Sequence, residues 1–328
     1  MNYKYIYGVF VKDLFNEKNI LVTGGAGFIG GHLVDKLLEF GSNVTVVDSM
    51  VTGQPKVVEN HRQNKKYQFV KLDLLNLEKL KTVAKGKDFI FHIAANADIR
   101  GGVNNTRIDL EQNTIATYNV LEAMRLNDIK KIVFTSSAAV YGETKAIPTP
   151  EDTTLVQNSL YGASKLAGES LIQAFSFYYG FNNFIYRFVS IIGERYPHGV
   201  VIDFFNKLKK DPYKLEILGN GKQKKSFLYI NDCVNGVFTG VEKSKDQNNL
   251  FNLGNNYTIE VDKVADLVIE EMKLKSVKKF YTGGQVGWPG DQPIVLLSTD
   301  KIRSLGWLPT TSIENGIKKT AKYLLNNE

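Results

Sequence analysis

Short apolar runs alternate along the first two thirds of the chain with longer stretches in which apolar residues recur at helical spacing. The short runs predict strands at residues 19–23, 43–47, 68–71, 89–93, 131–136, 183–189 and 250–253. The longer stretches predict helices at residues 28–40, 108–126 and 161–179. Strands separated by helices favour parallel pairing through right-handed crossovers. The pattern therefore predicts an α/β fold built on a doubly wound parallel sheet, a Rossmann-type domain.

The alternation weakens after residue 189, where loops rich in glycine, proline and aromatic residues become frequent. A helical stretch followed by an apolar run recurs at about residues 227–257, which favours a return of the chain to the sheet. We therefore expect an N-terminal extension at residues 1–18 and the Rossmann domain at residues 19–189. A smaller C-terminal cap is expected at residues 190–226 and 258–328.

Composition narrows the class of protein. The 328 residues carry a net charge of +7, but basic and acidic residues are interleaved and form no compact basic block. This distribution argues against a nucleic-acid partner and favours small anionic molecules. The single cysteine, Cys233, excludes a disulfide framework and a cysteine-based zinc site, so no metal is expected. A cytoplasmic location is expected, because the thiol favours a reducing compartment and no segment reaches the roughly 20 apolar residues of a membrane helix.

A glycine-rich turn follows the first predicted strand. Residues 24–30 read Gly-Gly-Ala-Gly-Phe-Ile-Gly and lead directly into the first predicted helix. Glycine is required where a strand turns sharply, where the backbone approaches a pyrophosphate and where a helix packs closely on a sheet. The free N–H groups and the positive dipole end of the helix then bind phosphate. The strand before the turn and the helix after it provide the context that a dinucleotide site needs.

Two aspartates at strand ends refine this prediction. Asp48 follows the second strand, where its carboxylate can accept hydrogen bonds from the ribose hydroxyls of an adenosine. It would repel a 2′-phosphate, and no arginine comes directly after it, so NAD is favoured over NADP. Asp73, at the end of the third strand, can either bind the adenine amino group or cap a helix, and the sequence leaves both roles open.

Tyr161 and Lys165 are four residues apart on a predicted helix, so their side chains project from one face. A nearby ammonium stabilises a phenolate and lowers the tyrosine pKa, which allows the pair to act as acid and base near neutral pH. Ser137 lies at the carboxyl end of the fifth predicted strand, where ligands of open parallel sheets bind. Ser137, Tyr161 and Lys165 are therefore the predicted catalytic residues.

Taken together, these motifs resemble those of the extended short-chain dehydrogenase/reductase family. The resemblance rests on residues 23–30, 73–74, 92–96, 136–142 and 161–165, and it covers nearly the whole chain after Lys18. Within the family, the chain is most similar to the NAD-dependent nucleotide-sugar epimerases and dehydratases, and among these to the 4-epimerases typified by UDP-glucose 4-epimerase. The resemblance implies a Rossmann domain that binds NAD and a C-terminal cap that binds a nucleotide-diphosphate sugar.

The resemblance also implies a mechanism. NAD accepts hydride from C4 of the sugar while Tyr161 takes the O4 proton, Lys165 binds the nicotinamide ribose, and Ser137 hydrogen-bonds O4. The 4-keto sugar then rotates in the site and receives the hydride on its other face. The cofactor-binding residues implied in this way are Gly24, Gly27, Phe28, Ile29, Gly30, Asp48, Asp73, Leu74, Ala94, Ala95, Asn113, Tyr161 and Lys165.

The predicted substrate half departs from the family pattern. Ser190 stands where asparagine is usual, Lys225 stands where an arginine commonly grips the diphosphate, and Trp288 replaces a second arginine. A lysine attracts phosphate but lacks the planar bidentate guanidinium. Val295 occupies the position of a bulky tyrosine that limits sugar size, so an N-acetylated or otherwise enlarged sugar is expected to fit. The implied substrate-binding residues are Ser137, Ser190, His198, Gly199, Val200, Leu218, Lys225, Trp288, Asp291 and Val295.

Three functions remain open at this point. A 4-epimerase and a 4-dehydrogenase or reductase acting on a UDP- or GDP-sugar would use the same residues. A non-catalytic dinucleotide-binding regulator is disfavoured, because the Ser-Tyr-Lys set is complete. Dehydration and decarboxylation are disfavoured because Ala138 and Ala139 stand where those branches carry an acidic residue. The family also implies a homodimer that pairs the helices predicted at residues 108–126 and 161–179.

Overall fold

The structure of the protein is a computed structural model that describes residues 12–99, 101–288 and 290–327. Its strands are β1 (Asn19–Thr23), β2 (Asn43–Asp48), β3 (Tyr67–Lys71), β4 (Phe89–His92), β5 (Lys131–Ser137), β6 (Asn182–Phe188), β7 (Ser190–Ile192), β8 (Lys214–Ile217), β9 (Lys224–Lys225), β10 (Phe227–Tyr229), β11 (Asn248–Leu253), β12 (Ile259–Glu260), β13 (Lys278–Tyr281) and β14 (Ile294–Val295). Its helices are numbered α1 (Phe28–Glu39), α2 (Pro55–Glu59), α3 (Leu77–Ala84), α4 (Gly101–Asn104), α5 (Thr106–Asp109), α6 (Ala116–Leu126), α7 (Leu160–Tyr179), α8 (Val200–Lys210), α9 (Ile230–Lys243), α10 (Val261–Glu271), α11 (Asp300–Ser304) and α12 (Ile313–Asn326).

A central sheet of seven strands has the order β11-β6-β5-β4-β1-β2-β3 among the described residues. β1 pairs in parallel with both β2 and β4, and further parallel pairs join β2 to β3 and β4 to β5. The strand order therefore reverses between β1 and β4, as it does in a doubly wound sheet. The predicted α/β Rossmann fold is confirmed, and the ends of the seven predicted strands differ from the observed ends by at most two residues.

The chain divides by its contacts into two compact units. Unit 1 contains the residues up to Val140 together with Ser159–Arg187 and Val237–Phe251. Unit 2 contains Tyr141–Asn158, Phe188–Gly236 and the residues from Asn252 onward. The segment Tyr141–Asn158 thus groups with unit 2, whereas the boundary expected at residue 189 assigns it to the Rossmann domain. Asn252 holds this segment, because its amide donates to the Thr149 carbonyl at 3.0 Å and its Oδ1 accepts from Tyr141 at 2.7 Å.

Apolar layers cover both faces of the sheet in unit 1. Phe15 is fully buried and packs against Phe89, Phe91 and Phe238, with ring centroids 5.3–5.9 Å apart. The described end of the predicted N-terminal extension is therefore part of the core, while residues 1–11 lie outside the described residues. Successive strand residues point to opposite faces, so a second buried cluster forms on the other side of the sheet. It includes Leu21, Ile90, Val120, Leu121, Ile132 and Phe134.

The helix predicted at residues 108–126 is not one regular helix. The structure has α5 to Asp109, a π-helical segment at Leu110–Ile115 and then α6. Apolar spacing alone does not reveal this segment, because one widened turn changes the helical period over only a few residues. The π-helical segment carries the buried Asn113 and directly follows the buried Asp109.

Unit 2 contains short sheets that pair β7 with β10, β8 with β13, and β9 with both β12 and β14. Helix α8 begins at its surface after Gly199, and its apolar face is buried through residues such as Phe204 and Leu208. No helix in the described part of the chain is long and apolar enough to cross a membrane.

Candidate active site

The glycine-rich turn packs closely on itself and on the residues that follow β4. Gly24 has a φ of +72°, and a Cβ at this position would lie 2.6 Å from the backbone nitrogen of Ala94. A Cβ on Gly30 would lie 2.1 Å from the Gly24 carbonyl oxygen. Residues 24 and 30 must therefore be glycine for the turn to close, whatever it binds.

Helix α1 starts directly after this turn, with Phe28 buried and Ile29 half-buried in its first turn. Its N-cap residue is Gly27, and no described side chain caps the N–H groups there. Because the first N–H groups of a helix have no partner within the helix, this end of α1 can bind an anion.

Asp48 ends β2 and is fixed by the turn. Its carboxylate accepts hydrogen bonds from the backbone nitrogens of Ala26 at 3.1 Å and Met50 at 2.8 Å, and the residue is 9% exposed. A carboxylate offers about four acceptor sites, so these bonds leave capacity for a further donor. The geometry is compatible with the predicted contact to a ribose diol.

The two residues predicted after β3 have different surroundings. Asp73 is exposed and accepts a hydrogen bond from the backbone nitrogen of Leu75 at 2.9 Å. The cap of helix α3 is Asn76, whose side chain accepts from the Lys79 nitrogen, so Asp73 is not a helix cap. Leu74 is buried in the apolar cluster beneath it.

The residues predicted after β4 lie beside the glycine-rich turn. Ala94 and Ala95 are half-buried, and the Ala94 nitrogen donates to the Thr23 carbonyl at 3.1 Å. Asn113 is buried, and its Oδ1 accepts from the backbone nitrogen of Asn96 at 2.8 Å. Unit 1 thus holds the predicted cofactor residues at the carboxyl ends of β1 to β4 or on the elements that follow them, with Tyr161 and Lys165 on α7 after β5.

Strand β5 and helix α7 bring the predicted catalytic residues together. The hydroxyl of Ser159 caps α7 by accepting from the Gly162 nitrogen at 3.1 Å, which places Tyr161 in the first turn of the helix and Lys165 one turn later. Ser137 is the last residue of β5, and its side chain lies close enough to that of Tyr161 to favour the phenolate. The Ser159 cap at the start of α7 therefore accounts for the positions of Tyr161 and Lys165, and the end of β5 accounts for the position of Ser137.

Lys165 is buried and held by β5. Its ammonium donates to the Thr135 carbonyl at 2.8 Å and lies 4.9 Å from the centroid of the Phe134 ring. Burial lowers the pKa of Lys165 to about 8, although the carboxylates of Glu169 and Asp109 oppose this shift.

The pKa of Tyr161 differs from the value expected of a tyrosine beside an ammonium. Burial raises the pKa of Tyr161 to about 12; the hydrogen bond from Ser137 opposes the rise, and the carboxylate of Asp109 adds to it. The predicted lowering of this pKa by Lys165 is therefore wrong for this structure. The physical reason is that desolvation of the phenolate dominates, while the lysine ammonium is directed to the Thr135 carbonyl.

A buried ion pair behind the site was not predicted. Arg187 of β6 contacts Glu169 of α7 at 2.7 Å, and their side chains are 3% and 2% exposed. The hydroxyl of Ser136 donates to the same carboxylate at 2.5 Å. The pair therefore joins α7 to β5 and β6 next to Ser137 and Lys165. An arginine inside the apolar strand of residues 182–188 is the sequence signal that could have revealed it.

A second unpredicted group is Asp109, which is 1% exposed at the end of α5. Its Oδ1 accepts hydrogen bonds from the amides of Asn96 at 2.8 Å and Asn113 at 3.2 Å. Apart from its spacing to Asn113, nothing in the local sequence marks this aspartate as buried.

Four of the predicted substrate residues form a cluster in unit 2. The ammonium of Lys225 contacts Asp291 at 2.6 Å and also donates to the Gln292 carbonyl. Burial lowers the pKa of Lys225, and Asp291 opposes the shift. Val295 is half-buried opposite Lys225 in the β9–β14 pair, and Leu218 packs near Gly287, whose nitrogen donates to Asp291 at 2.9 Å. The charge expected to attract a diphosphate is thus already paired with a carboxylate.

Of the remaining predicted substrate residues, Ser137 lies in unit 1, Trp288 borders the cluster because its carbonyl accepts from the Asp291 nitrogen at 3.0 Å, and the others lie elsewhere in unit 2. Ser190 is the exposed first residue of β7, and Trp288 is half-buried next to Gly287. His198 and Gly199 are exposed before α8, and Val200 is the first residue of that helix. A binding role for these residues remains a prediction.

Comparison with known proteins agrees with the fold. A sequence model of the NAD dependent epimerase/dehydratase family matches residues 20–254. The chain is 32% identical over 314 residues to a putative UDP-glucose 4-epimerase of Methanocaldococcus jannaschii, covering 94% of this chain and 99% of the relative. It is 28% identical over 316 residues to UDP-glucuronic acid decarboxylase 1 of Danio rerio, covering 94% of this chain and 73% of the relative. The UDP-glucuronic acid 4-epimerase of Bacillus cereus, solved with UDP-glucuronic acid and NAD, matches with a TM-score of 0.86 at 26% identity, covering 94% of this chain and 100% of that one.

Proposed function

Because the chain belongs to the NAD dependent epimerase/dehydratase family, we propose that it is a UDP-sugar 4-epimerase that acts through a transient 4-keto sugar. The observation that carries this proposal is that Ser137 ends β5 beside the buried Tyr161 of α7, with Lys165 one helical turn away. A hydroxyl, a phenol and an ammonium in one site provide the proton transfer that oxidation and reduction at C4 of a sugar require.

NAD is the cofactor of this family, and unit 1 has residues that fit it. The uncapped N-terminus of α1 suits the pyrophosphate, and the remaining acceptor sites of Asp48 suit the adenosine ribose. Lys165 would hold the nicotinamide ribose. When bound, NAD supplies reversible acceptance of a hydride from C4 of the sugar.

Tyr161 would move the proton at O4 of the sugar. With its pKa raised to about 12, its hydroxyl is protonated at neutral pH and can return a proton to O4. To accept a proton it must first ionise, and the hydrogen bond from Ser137 favours the phenolate. Lys165 is protonated at any pH below its pKa of about 8. The chain itself therefore provides a positive charge in this site.

Other reactions of related proteins would need further groups. Ala138 and Ala139 follow Ser137 directly, and neither methyl group can donate a proton to a leaving hydroxyl or a carbanion. Elimination or decarboxylation is therefore disfavoured. Net oxidation or reduction at C4 of a UDP- or GDP-sugar is the second candidate, because it uses the same three side chains.

A substrate panel separates these reactions. The NAD-loaded protein is incubated with UDP-glucose, UDP-N-acetylglucosamine, UDP-glucuronic acid and a GDP-hexose, and the products are identified by proton NMR. We expect the C4 epimer of at least one UDP-sugar without accumulation of NADH. Stoichiometric NADH would favour the dehydrogenase, and carbon dioxide from UDP-glucuronic acid would favour decarboxylation. If no nucleotide sugar reacts, the proposal is wrong.

Asp48→Ala is expected to weaken NAD binding roughly 10- to 100-fold, since hydrogen bonds to a charged group contribute about 1.5–3 kcal/mol. The preference for NAD over NADP should narrow, because the carboxylate no longer repels a 2′-phosphate. Calorimetry with both cofactors measures the effect. The control is Asp88→Ala, which also removes a carboxylate bonded to a backbone nitrogen, but at the amino ends of β1 and β4. Equal affinity of the wild-type protein for NAD and NADP would contradict the role of Asp48.

Val295→Tyr tests the size of the sugar pocket. If Val295 faces the sugar, the added ring should reduce turnover of an N-acetylated sugar more than that of UDP-glucose, because the clash acts on the larger substituent. The ratio of kcat/KM for the two sugars is compared between the variant and the wild type. An unchanged ratio would show that Val295 does not limit the sugar.

A homodimer formed by α6 and α7 is also part of the proposal. Large apolar side chains of these helices are exposed in the single chain, among them Leu126 at 46%, Phe177 at 83% and Tyr178 at 75%. Exposed apolar patches of this kind favour association. Sedimentation velocity of the purified protein is expected to give the mass of two chains, and a monomer at all concentrations would contradict the assembly.

A further inference from the structure

We propose that Asp109 is a positioning residue of the acid/base site: its buried carboxylate ties the loop after β4 to helix α7 and adds a fixed negative charge beside Tyr161 and Lys165. The inference rests on the proposed role of Tyr161 as the acid/base. Asp109 ends α5, directly before the π-helical segment, and is 1% exposed. Segments of π-helix are rare and frequently occur at functional sites.

A short chain of hydrogen bonds connects Asp109 to Tyr161. The amide of Asn113 donates both to Oδ1 of Asp109 at 3.2 Å and to the hydroxyl of Ser164 at 2.9 Å. Ser164 in turn donates to the backbone carbonyl of Tyr161 at 2.8 Å. The amide of Asn96, on the loop after β4, donates to the same Oδ1 at 2.8 Å. One carboxylate oxygen therefore links that loop to the first turn of α7.

The second carboxylate oxygen of Asp109 is not used in this network. Oδ2 is buried and has no hydrogen-bond partner among the residues that the structure describes. A Cβ at Gly102 would lie 2.5 Å from Oδ2, so the glycine in α4 provides the space that this oxygen occupies. A buried carboxylate oxygen without a partner is costly. A neutral residue would avoid that cost, which indicates that the charge itself has a role.

The charged groups around Asp109 define its electrostatic effect. Asp98 lies on the loop after β4, Tyr161 and Lys165 lie on α7, and the exposed Arg107 of α5 is paired with Glu111. Burial raises the pKa of Asp109, while the hydrogen bond from Asn96 lowers it. The Asp109 carboxylate raises the pKa of Tyr161 and that of Lys165, since a negative charge disfavours a phenolate and favours an ammonium. Removal of this charge is therefore expected to lower the pKa of both Tyr161 and Lys165.

Asp109→Asn tests the proposal, because the amide oxygen can keep both bonds to Asn96 and Asn113 while the charge is lost. Ionisation of Tyr161 is followed in the NAD-loaded protein by NMR of ring-labelled tyrosine, and Tyr161→Phe assigns the resonance. We expect a larger phenolate fraction at a given alkaline pH in the variant, and a shift of the basic limb of kcat/KM to lower pH. Unchanged ionisation of Tyr161 would overturn the proposal.

Three further variants complete the test. Asp98→Asn removes an exposed charge from the same loop and is expected to leave the Tyr161 titration unchanged; an equal shift would show a nonspecific charge effect and contradict the proposal. Ser164→Ala breaks the link to α7 without changing charge and should lower kcat alone. Asp109→Ser is used if Asp109→Asn does not fold. An NMR shift in a protein that epimerises no sugar would refute the proposed function, whereas the effect of Asp109 on the ionisation of Tyr161 would still stand.

Discussion

Tyr161→Phe is expected to remove nearly all turnover while NAD remains bound. The phenolic oxygen is the group placed to exchange a proton with O4, and loss of a general acid/base typically costs about 10²- to 10⁴-fold in rate. Burial keeps the ring in place, since the residue is 8% exposed and the phenylalanine ring has the same shape. Turnover is measured with the best sugar of the panel, and cofactor binding is measured by calorimetry.

The control for this variant is Tyr186→Phe, which removes another buried hydroxyl of unit 1. The Tyr186 hydroxyl donates to the Val237 carbonyl at 2.7 Å, away from the proposed chemistry. Its removal should change stability slightly and leave turnover nearly unchanged. Turnover of Tyr161→Phe close to that of the wild type would show that another group moves the proton.

Glu169→Gln is expected to lower the free energy of unfolding by about 3–5 kcal/mol, because it leaves the Arg187 guanidinium buried without its counter-charge. The pair is bidentate, with Arg187 Nε at 3.0 Å from Oε1 and Nη2 at 2.7 Å from Oε2. Urea unfolding followed by circular dichroism gives the change from the midpoint and slope.

Two comparisons show whether burial causes the effect of Glu169→Gln. Glu122→Gln breaks a second arginine–glutamate pair, which Glu122 forms with Arg125. In this pair the Arg125 side chain is 37% exposed and the Glu122 side chain is 17% exposed. That change should cost less than about 1 kcal/mol. The double replacement of Glu169 and Arg187 by methionine should be closer to the wild type than Glu169→Gln, since no unpaired charge remains. Equal losses for Glu169→Gln and Glu122→Gln would contradict a special role of burial.

The sequence by itself determined the features that depend on local periodicity. The sheet of unit 1 was largely predictable, because strands such as β1, β2 and β4 are buried along most of their length and read as apolar runs, whereas the edge strand β3 is only partly buried. Gly24 and Gly30 were predictable because a turn this tight leaves no space for a Cβ. The family resemblance drawn from these motifs is confirmed by the match over residues 20–254.

The candidate catalytic residues were also within reach of local reasoning. A spacing of four residues places Tyr161 and Lys165 on one helical face, and the carboxyl end of a parallel strand places Ser137 where ligands bind. Their protonation was not within reach, because the pKa of Tyr161 depends on how deeply the ring is buried and on a carboxylate from another element.

Only the tertiary structure decided which distant charges meet. Arg187 lies 18 residues after Glu169 and contacts it because β6 and α7 both lie beside β5. Lys225 meets Asp291 because β9 pairs with β14, and this contact neutralises a charge that the sequence had assigned to a diphosphate. Asp109 is buried because a π-helical turn and two asparagine amides hold it inside unit 1. Periodicity reports which face of an element a side chain occupies, but the partner on the opposite element is set by packing between segments far apart in the chain.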